Sequence, residues 1–486
     1  MRIAILSSLR LSTIANSQSF VDNIMTTTAV NPYLDGNFAP ISAEITAENQ
    51  QVIGELPPEL SGMFVRNGPN PQYSPIGQYH WFDGDGMLHG VRISGGKAVY
   101  RNRYVQTQKW QTEHEAGKAI LTGLLEPPQT DAPPISRNTA NTALVWHGGQ
   151  LLAVWEAGAP HTIQVPELKT IGEHTYNGKL VSPFTAHPKV DPITGEMVFF
   201  GYSVMPPYLQ YGIVSAAGEL LSTVPIEIPE PVMMHDFAIT EDYTIFMDLP
   251  LTFNPARMQQ GKPMIMFECD RPSRFGILPR HGDNSKIQWF ESPSCYVFHT
   301  LNAYQQGDEV VLIACRMSST SVLGFNGVDD PDANIPRLHQ WRFNLKTGAV
   351  SESRLDDIAG EFPRVNENLL GRQTRYGYVN KSAPTPVPLF DGVIKYDFDR
   401  GTSQIHEFGQ GRYGGESIFA PRPHATAEDD GWLMTFVHDE TANTSELLVM
   451  NAQDITGEPV ARVLIPQRVP YGFHAAWVTE KQLQGF

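Results

Sequence analysis

The chain has 486 residues, 41% hydrophobic and 10% aromatic, enough to bury a large core. Its 52 acidic residues outnumber 35 basic ones, giving a formal charge of −17. That balance excludes the basic footprint of a nucleic-acid-binding protein and opposes attraction to anionic lipid headgroups, so any membrane contact has to be apolar.

The first 25 residues, MRIAILSSLRLSTIANSQSFVDNIM, hold one short apolar run, IAIL, which Arg10 prevents from extending and no small-residue cleavage site follows. We expect residues 1–39 to be a disordered N-terminal tail, with Met25 an alternative start, and residues 40–486 to form a single domain. No segment approaches the roughly 20 apolar residues of a membrane span. Cys269, Cys295 and Cys315 form no C-x-x-C pair and read as reduced core thiols in a reducing compartment, which places the protein in the cytoplasm.

RNGPNP at 66–71 reads as a rigid turn, and the DGDG of 83–86, flanked by His80 and His89, as a tight turn. The latter lacks the later ligands of a calcium loop. Helical spacing over AILTGLLEPP, 119–128, would gather Ile120, Leu121, Leu124 and Leu125 into an apolar patch. Elsewhere helical periodicity is scarce. KAVYRNRYV (97–105), QLLAVWEAG (150–158), EMVFFGYSV (196–204), EVVLIACRM (309–317) and WLMTFVHDE (432–440) are short alternating or apolar runs bounded by Gly, Asp, Asn and Pro, the pattern of many short strands. Tight-turn sequences recur between them, as in DPITGE and NLKTGAV. Strand, turn, strand and longer loop, repeated along the chain, predict an all-β propeller with long insertions on one face.

Four histidines sit in apolar or aromatic runs: His187 in SPFTAHPKVDP, His235 in PVMMHDFAIT, His299 in CYVFHTLNAY and His474 in PYGFHAAWV. Neutral imidazole binds Fe, Zn, Cu or Ni, and a ligand histidine needs a dry setting that fixes its ring through the other nitrogen. The nearest two are 48 positions apart, too far for one hairpin, so a shared ion requires convergence from separate blades on a central channel. The other histidines, His114, His147, His161, His174, His281, His339, His406, His424 and His438, lie near polar or turn residues and are expected at the surface.

These four segments, together with ELPPELSGMFVRNGPNP, HWFDGDGMLHGV, AHPKVDPITGEMVFFGYS and HDFAITEDYTIFMDLPL, resemble the carotenoid cleavage oxygenases, a family of plant and cyanobacterial dioxygenases that also contains the visual-cycle retinoid isomerohydrolase. The resemblance runs from about residue 40 to the C-terminus. It implies a seven-bladed β-propeller under a dome of long loops and short helices, and one Fe(II) per chain held by His187, His235, His299 and His474. Four neutral ligands leave the ion its full charge, so carboxylates are expected one layer out; the resemblance maps them to Glu156 in AVWEAG, Glu361 in GEFPRVN and Glu416 in GGESIFAPR. It places Thr142 close to the iron, restricting one coordination position.

The implied function is oxidative cleavage, with O2, of a conjugated C=C bond in a carotenoid or apocarotenoid, the 9,10 bond first and the 15,15′ bond second. VMPPYLQYG (204–212), LPLTFNP (249–255) and STSVLGFNG (319–327) are candidate tunnel walls, and the 119–128 patch a candidate peripheral membrane contact. Two alternatives stand beside this reading: cleavage of a stilbene or other phenylpropanoid, and a non-catalytic carotenoid-binding propeller.

Overall fold

A computed structural model describes residues 31–124, 126, 133–260, 262–320 and 330–485. Among them are thirty-two strands and two short α-helices, Gln108–Ala116 and Glu480–Leu483. The strands make the seven-bladed β-propeller that the family resemblance implies. From the inner strand outward, blade one is Ala475–Thr479, Gly62–Pro69, Gly86–Ser94 and Lys97–Tyr104. Blade two is Ala143–His147, Gln150–Trp155, Gly158–Gln164 and Lys169–Glu173. Blade three is Lys189–Val190, Met197–Tyr202, Leu209–Val214 and Leu220–Ile226; blade four is Ala238–Ile239, Tyr243–Asp248, Ser273–Pro279 and Gln288–Ser292. Blade five runs Tyr296–Gln306, Glu309–Met317, Arg337–Asn344 and into Val350–Arg364. That 15-residue strand continues as the inner strand of blade six, paired from Gly360 onward with Tyr376–Ser382 and followed by Phe390–Asp397 and Thr402–Glu407. Blade seven is Ile418–Pro421, Gly431–Asp439, Thr444–Asn451 and Ala461–Ile465.

The two chain ends close the ring. Gly62 to Arg66 pairs antiparallel with Ala475 to Thr479, so the last strand of the chain lies innermost in the first blade. The segment Val52–Gly54 crosses to the outer edge of blade seven, pairing Val52 with Val463. These pairings cover edges that an open propeller would expose.

Alternation along each strand supplies the cohesion. Successive side chains point to opposite faces, so Leu151 and Ala153 pack against Met63 and Val65 of blade one, while Leu152 and Val154 pack against Met197 and Phe199 of blade three. The same division repeats round the molecule, giving one buried apolar cluster at each of the seven blade interfaces. An eighth cluster, Phe38, Trp81, Leu389, Tyr471 and Phe473, lies in the loops.

Several sequence expectations change. Residues 31–39 of the expected tail are ordered, because Phe38 packs edge-on against Trp81 and Tyr471 at 5.1 and 5.0 Å and the Asn37 amide donates to the Val469 carbonyl. RNGPNP is mostly strand rather than turn, since Arg66 to Pro69 pairs along Gly86 to His89. No helix forms over 119–124: Glu113 accepts the Ile120 and Leu121 amides and Asp83 accepts that of Leu124, which takes those donors out of helical reach. Leu121 is buried and Leu124 exposed; Leu125, the rest of that run from 127, and residues 321–327 of the candidate tunnel wall lie outside the described residues. His147, His161, His339 and His438, expected at the surface, are buried, and of the three cysteines expected in the core Cys295 and Cys315 are buried while Cys269 is exposed. Among the described residues, no helix is long and apolar enough to cross a membrane.

Candidate metal centre

The inner strand of each blade brings one candidate residue to its start or its first turns. Thr142 precedes Ala143–His147, His187 precedes Lys189–Val190, His235 precedes Ala238–Ile239, Glu416 precedes Ile418–Pro421 and His474 precedes Ala475–Thr479. His299 and Glu361 lie within their strands, each beside a register shift that departs from simple alternation. Seven blades thus deliver seven of the eight predicted residues to one end of the channel. The eighth, Glu156, follows Gln150–Trp155 of blade two.

Ligating nitrogens of His187, His235, His299 and His474 all lie within 4.8 Å of one another. The Nε2 atoms of His187 and His235 are 3.1 Å apart. Ring centroids stand 4.6 Å apart for His187–His235 and His187–His474, 4.7 Å for His299–His474, and 5.1 Å for His235–His299.

Three carboxylates stand behind them. An ionised carboxylate accepts only, so in that state each contact fixes the imidazole with its proton on Nδ1 and a lone pair on Nε2. His235 Nδ1–H donates to Glu156 Oε2 at 2.5 Å, His299 Nδ1–H to Glu361 Oε2 at 2.6 Å, and His474 Nδ1–H to Glu416 Oε1 at 2.9 Å. His187 has no carboxylate partner among the described residues. The Nε2 atom of His299 is buried with no hydrogen-bond partner, as expected of a nitrogen whose partner is an ion. Neutral nitrogen donors with this packing fit one first-row transition metal ion; the four-histidine cluster can hold one per chain, as expected for Fe(II).

Charge in this shell is uneven. Burial, reinforced by neighbouring imidazoles, holds His187 and His299 well below the usual histidine range. Burial would lower His235 as well, but the Glu156 charge and hydrogen bond outweigh it and raise the pKa. Burial pushes the Glu361 carboxyl up to about 8. At Glu416 burial acts in the same direction, yet the Arg364 guanidinium and His474 bring it down to about 2. Arg364 stands 3.0 Å from Glu416 through Nε and donates to the Ala475 carbonyl at 2.7 Å, joining blades six, seven and one.

Thr142 accepts the His474 amide on its carbonyl at 3.1 Å, which seats it beside that histidine, and its hydroxyl donates to Asn141 Oδ1. Other contributors carry no local signal in the sequence. Tyr202 donates its hydroxyl to Glu156. Asn67, within the RNGPNP run, donates its backbone N–H to the His474 carbonyl and its side-chain amide to the Ala140 and Ala143 carbonyls, clipping the His474 and Thr142 segments together. Phe298 packs at 5.3 Å on His235, and Phe362 at 5.1 Å on His299 and 4.8 Å on His474. Phe362 holds a left-handed φ of +52°, a conformation costly for an aromatic residue and common where a site requires it. By contrast, Leu209, Tyr211, Leu249 and Leu251 of the candidate tunnel stretches pack in interblade cores, and Phe253, packed against one of them, also stacks on Tyr202.

Residues 38–479 match the family described as retinal pigment epithelial membrane protein, RPE65. The chain is 45% identical over 490 residues to a carotenoid 9,10(9′,10′)-cleavage dioxygenase of Arabidopsis thaliana, covering 93% of this chain and 90% of that one. Among solved structures, the lignostilbene dioxygenase of Pseudomonas brassicacearum superposes with a TM-score of 0.88 at 31% identity, over 93% of this chain and 99% of that one. Cobalt-substituted apocarotenoid oxygenase of Synechocystis does so at 0.81 and 28%, over 90% and 97%. With its propeller, its four converging imidazoles and these relatives, the chain belongs to the RPE65 family, the family of the carotenoid cleavage dioxygenases.

Proposed function

We propose that the protein is a non-haem Fe(II) dioxygenase that uses O2 to cleave the 9,10 or 9′,10′ double bond of a carotenoid or apocarotenoid, giving two carbonyl products. The convergence of four imidazoles backed by three carboxylates carries this reading. The specificity of the bond comes from the 43–45% identical plant relatives, which bear that activity in their names.

In this reading His187, His235, His299 and His474 are the metal ligands. Fe(II) bound there supplies the activation of O2 beside an electron-rich alkene. Glu156, Glu361 and Glu416 hold the Nδ1 protons of three ligands, which aims their Nε2 lone pairs inward and offsets the positive charge. Tyr202 keeps Glu156 in place, and Arg364 keeps Glu416. Phe298 and Phe362 provide an apolar wall that keeps water from the reacting bond, and Thr142 narrows one approach to the centre.

Peripheral membrane contact by a cytoplasmic protein belongs to the same reading. Its support is the insolubility of a long polyene in water and the exposed side chain of Leu124 in the 119–128 run.

A second reading, cleavage of a phenolic stilbene, draws on the TM-score of 0.88 to lignostilbene dioxygenase. One experiment separates the two. Iron-loaded protein is incubated in air with full-length carotenoids, apocarotenals and resveratrol, and products are identified by mass. Paired products of a 9,10 or 9′,10′ cut are expected; products from resveratrol alone would move the assignment to the stilbene class, and none from any substrate would overturn both.

A further inference from the structure

Beyond the three glutamates, one more buried carboxylate lies next to the histidines in the chain, and its hydrogen bonds go to other partners. Asp236 directly follows His235 and is 1% exposed. Its Oδ1 lies 2.7 Å from Lys189 Nζ and accepts the Phe237 N–H at 2.8 Å. Its Oδ2 accepts the backbone N–H and the hydroxyl of Thr300, both at 2.8 Å.

Four donors fill the acceptor positions of one carboxylate, and their places in the chain are telling. Lys189 lies two residues after His187, Phe237 two after His235, and Thr300 one after His299. These residues come from blades three, four and five, whose inner strands are otherwise separate in sequence. In an extended chain neighbouring side chains point to opposite sides, so Thr300 can face Asp236 while His299 faces the centre. His474 has its own clamp, Glu416 with Arg364.

We infer that Asp236 is a positioning residue that sets the mutual spacing of His187, His235 and His299, and through it the affinity and ligand field of the metal site. It touches none of the reacting atoms. It acts by tying three histidine-bearing segments to one anion, two through backbone N–H groups and one through the Lys189 ammonium, and its burial is tolerated because every acceptor position is filled and Lys189 supplies the counter-charge. The inference rests on the four-histidine metal reading.

The test exploits the direction of these hydrogen bonds. Asp236→Asn keeps the shape but places an NH2 group against at least one backbone N–H donor, whichever way the amide turns, and removes the charge that pairs with Lys189. Thr300→Val removes only the hydroxyl, and Thr300→Ser restores it. Full-length chains loaded with Co(II) are challenged with a competing chelator, while the visible absorption of the bound cobalt is recorded.

Wild type and Thr300→Ser are expected to hold one Co(II) per chain with the same spectrum. Asp236→Asn is expected to bind it 10- to 100-fold more weakly, the range for partners behind a ligand, with a changed visible band. Thr300→Val should shift in the same direction by less. Wild-type affinity and spectrum in both Asp236→Asn and Thr300→Val, with only a lower melting temperature, would overturn the inference and leave the metal reading intact. If Asp236→Asn does not fold, Thr300→Val against Thr300→Ser decides. A wild-type chain that takes up no cobalt would overturn the metal reading and this inference together.

Discussion

Each proposed ligand is a problem in proton placement. An imidazole offers a lone pair from Nε2 only if Nδ1 keeps its proton, and Glu156, Glu361 and Glu416 secure that for three of the four. Glu361 bears the heaviest burden, because it is buried without a cationic partner at hydrogen-bond distance and its carboxyl is pushed up to about 8. Glu361→Gln should leave the fold intact and lower iron affinity or turnover by about 10- to 100-fold, measured by chelator competition and initial rates; unchanged values would remove Glu361 from the site. The four histidines were legible in the sequence because each sits in an apolar run where an unpaired polar group is costly, and the three glutamates only through the family resemblance that maps them. Tyr202, Asn67 and Asp236 were not, since what marks them is a partner in another blade and no local pattern encodes that distance. Phe362 could not be read either: its neighbours suggest an ordinary strand, and only the backbone turn at φ +52° reveals its part.

At the scale of elements, alternation predicted most strands correctly, while the places where it failed share a cause. The run at 119–124 has helical spacing, but its amides are taken by Glu113 and Asp83 from elsewhere in the chain. Histidines among polar neighbours were expected in water, yet His161 and His438 stand in strands whose inward faces cover them. Burial pushes both imidazoles down to about 4 from an ordinary 6.5. Between those values the unfolded chain takes up protons that the folded chain refuses, so stability falls as the pH drops from 6.5 toward 4. The melting temperature should therefore decline over that window, and His161→Gln should flatten part of the slope. A slope unaltered in His161→Gln and His438→Gln would show that these groups are not buried neutral.

Over the whole molecule, seven apolar clusters and two terminal strands turn separate blades into one ring. Phe64 shows the dependence: fully buried in the seam between blades seven and one, it packs edge-on against Phe436 at 5.1 Å on the sheet that the C-terminal strand completes. Phe64→Ala should cost about 3–5 kcal/mol in denaturant unfolding, whereas Ile193→Ala, at a side chain 72% exposed, should stay within about 0.5 kcal/mol. Equal effects would mean that the seam does not carry the closure. The ring matters to function because it brings together residues as distant in the chain as Thr142 and His474. Blade repetition was legible in the sequence, but the crossing of Val52–Gly54 to blade seven was not, for a three-residue strand leaves no periodicity to read. The most direct test of the account is the iron content of anaerobically purified protein with and without its histidines. Wild type should carry one iron per chain, and His235→Ala and His474→Ala, folded by circular dichroism, should carry none and turn over no substrate; full iron and activity in either variant would contradict the four-histidine centre.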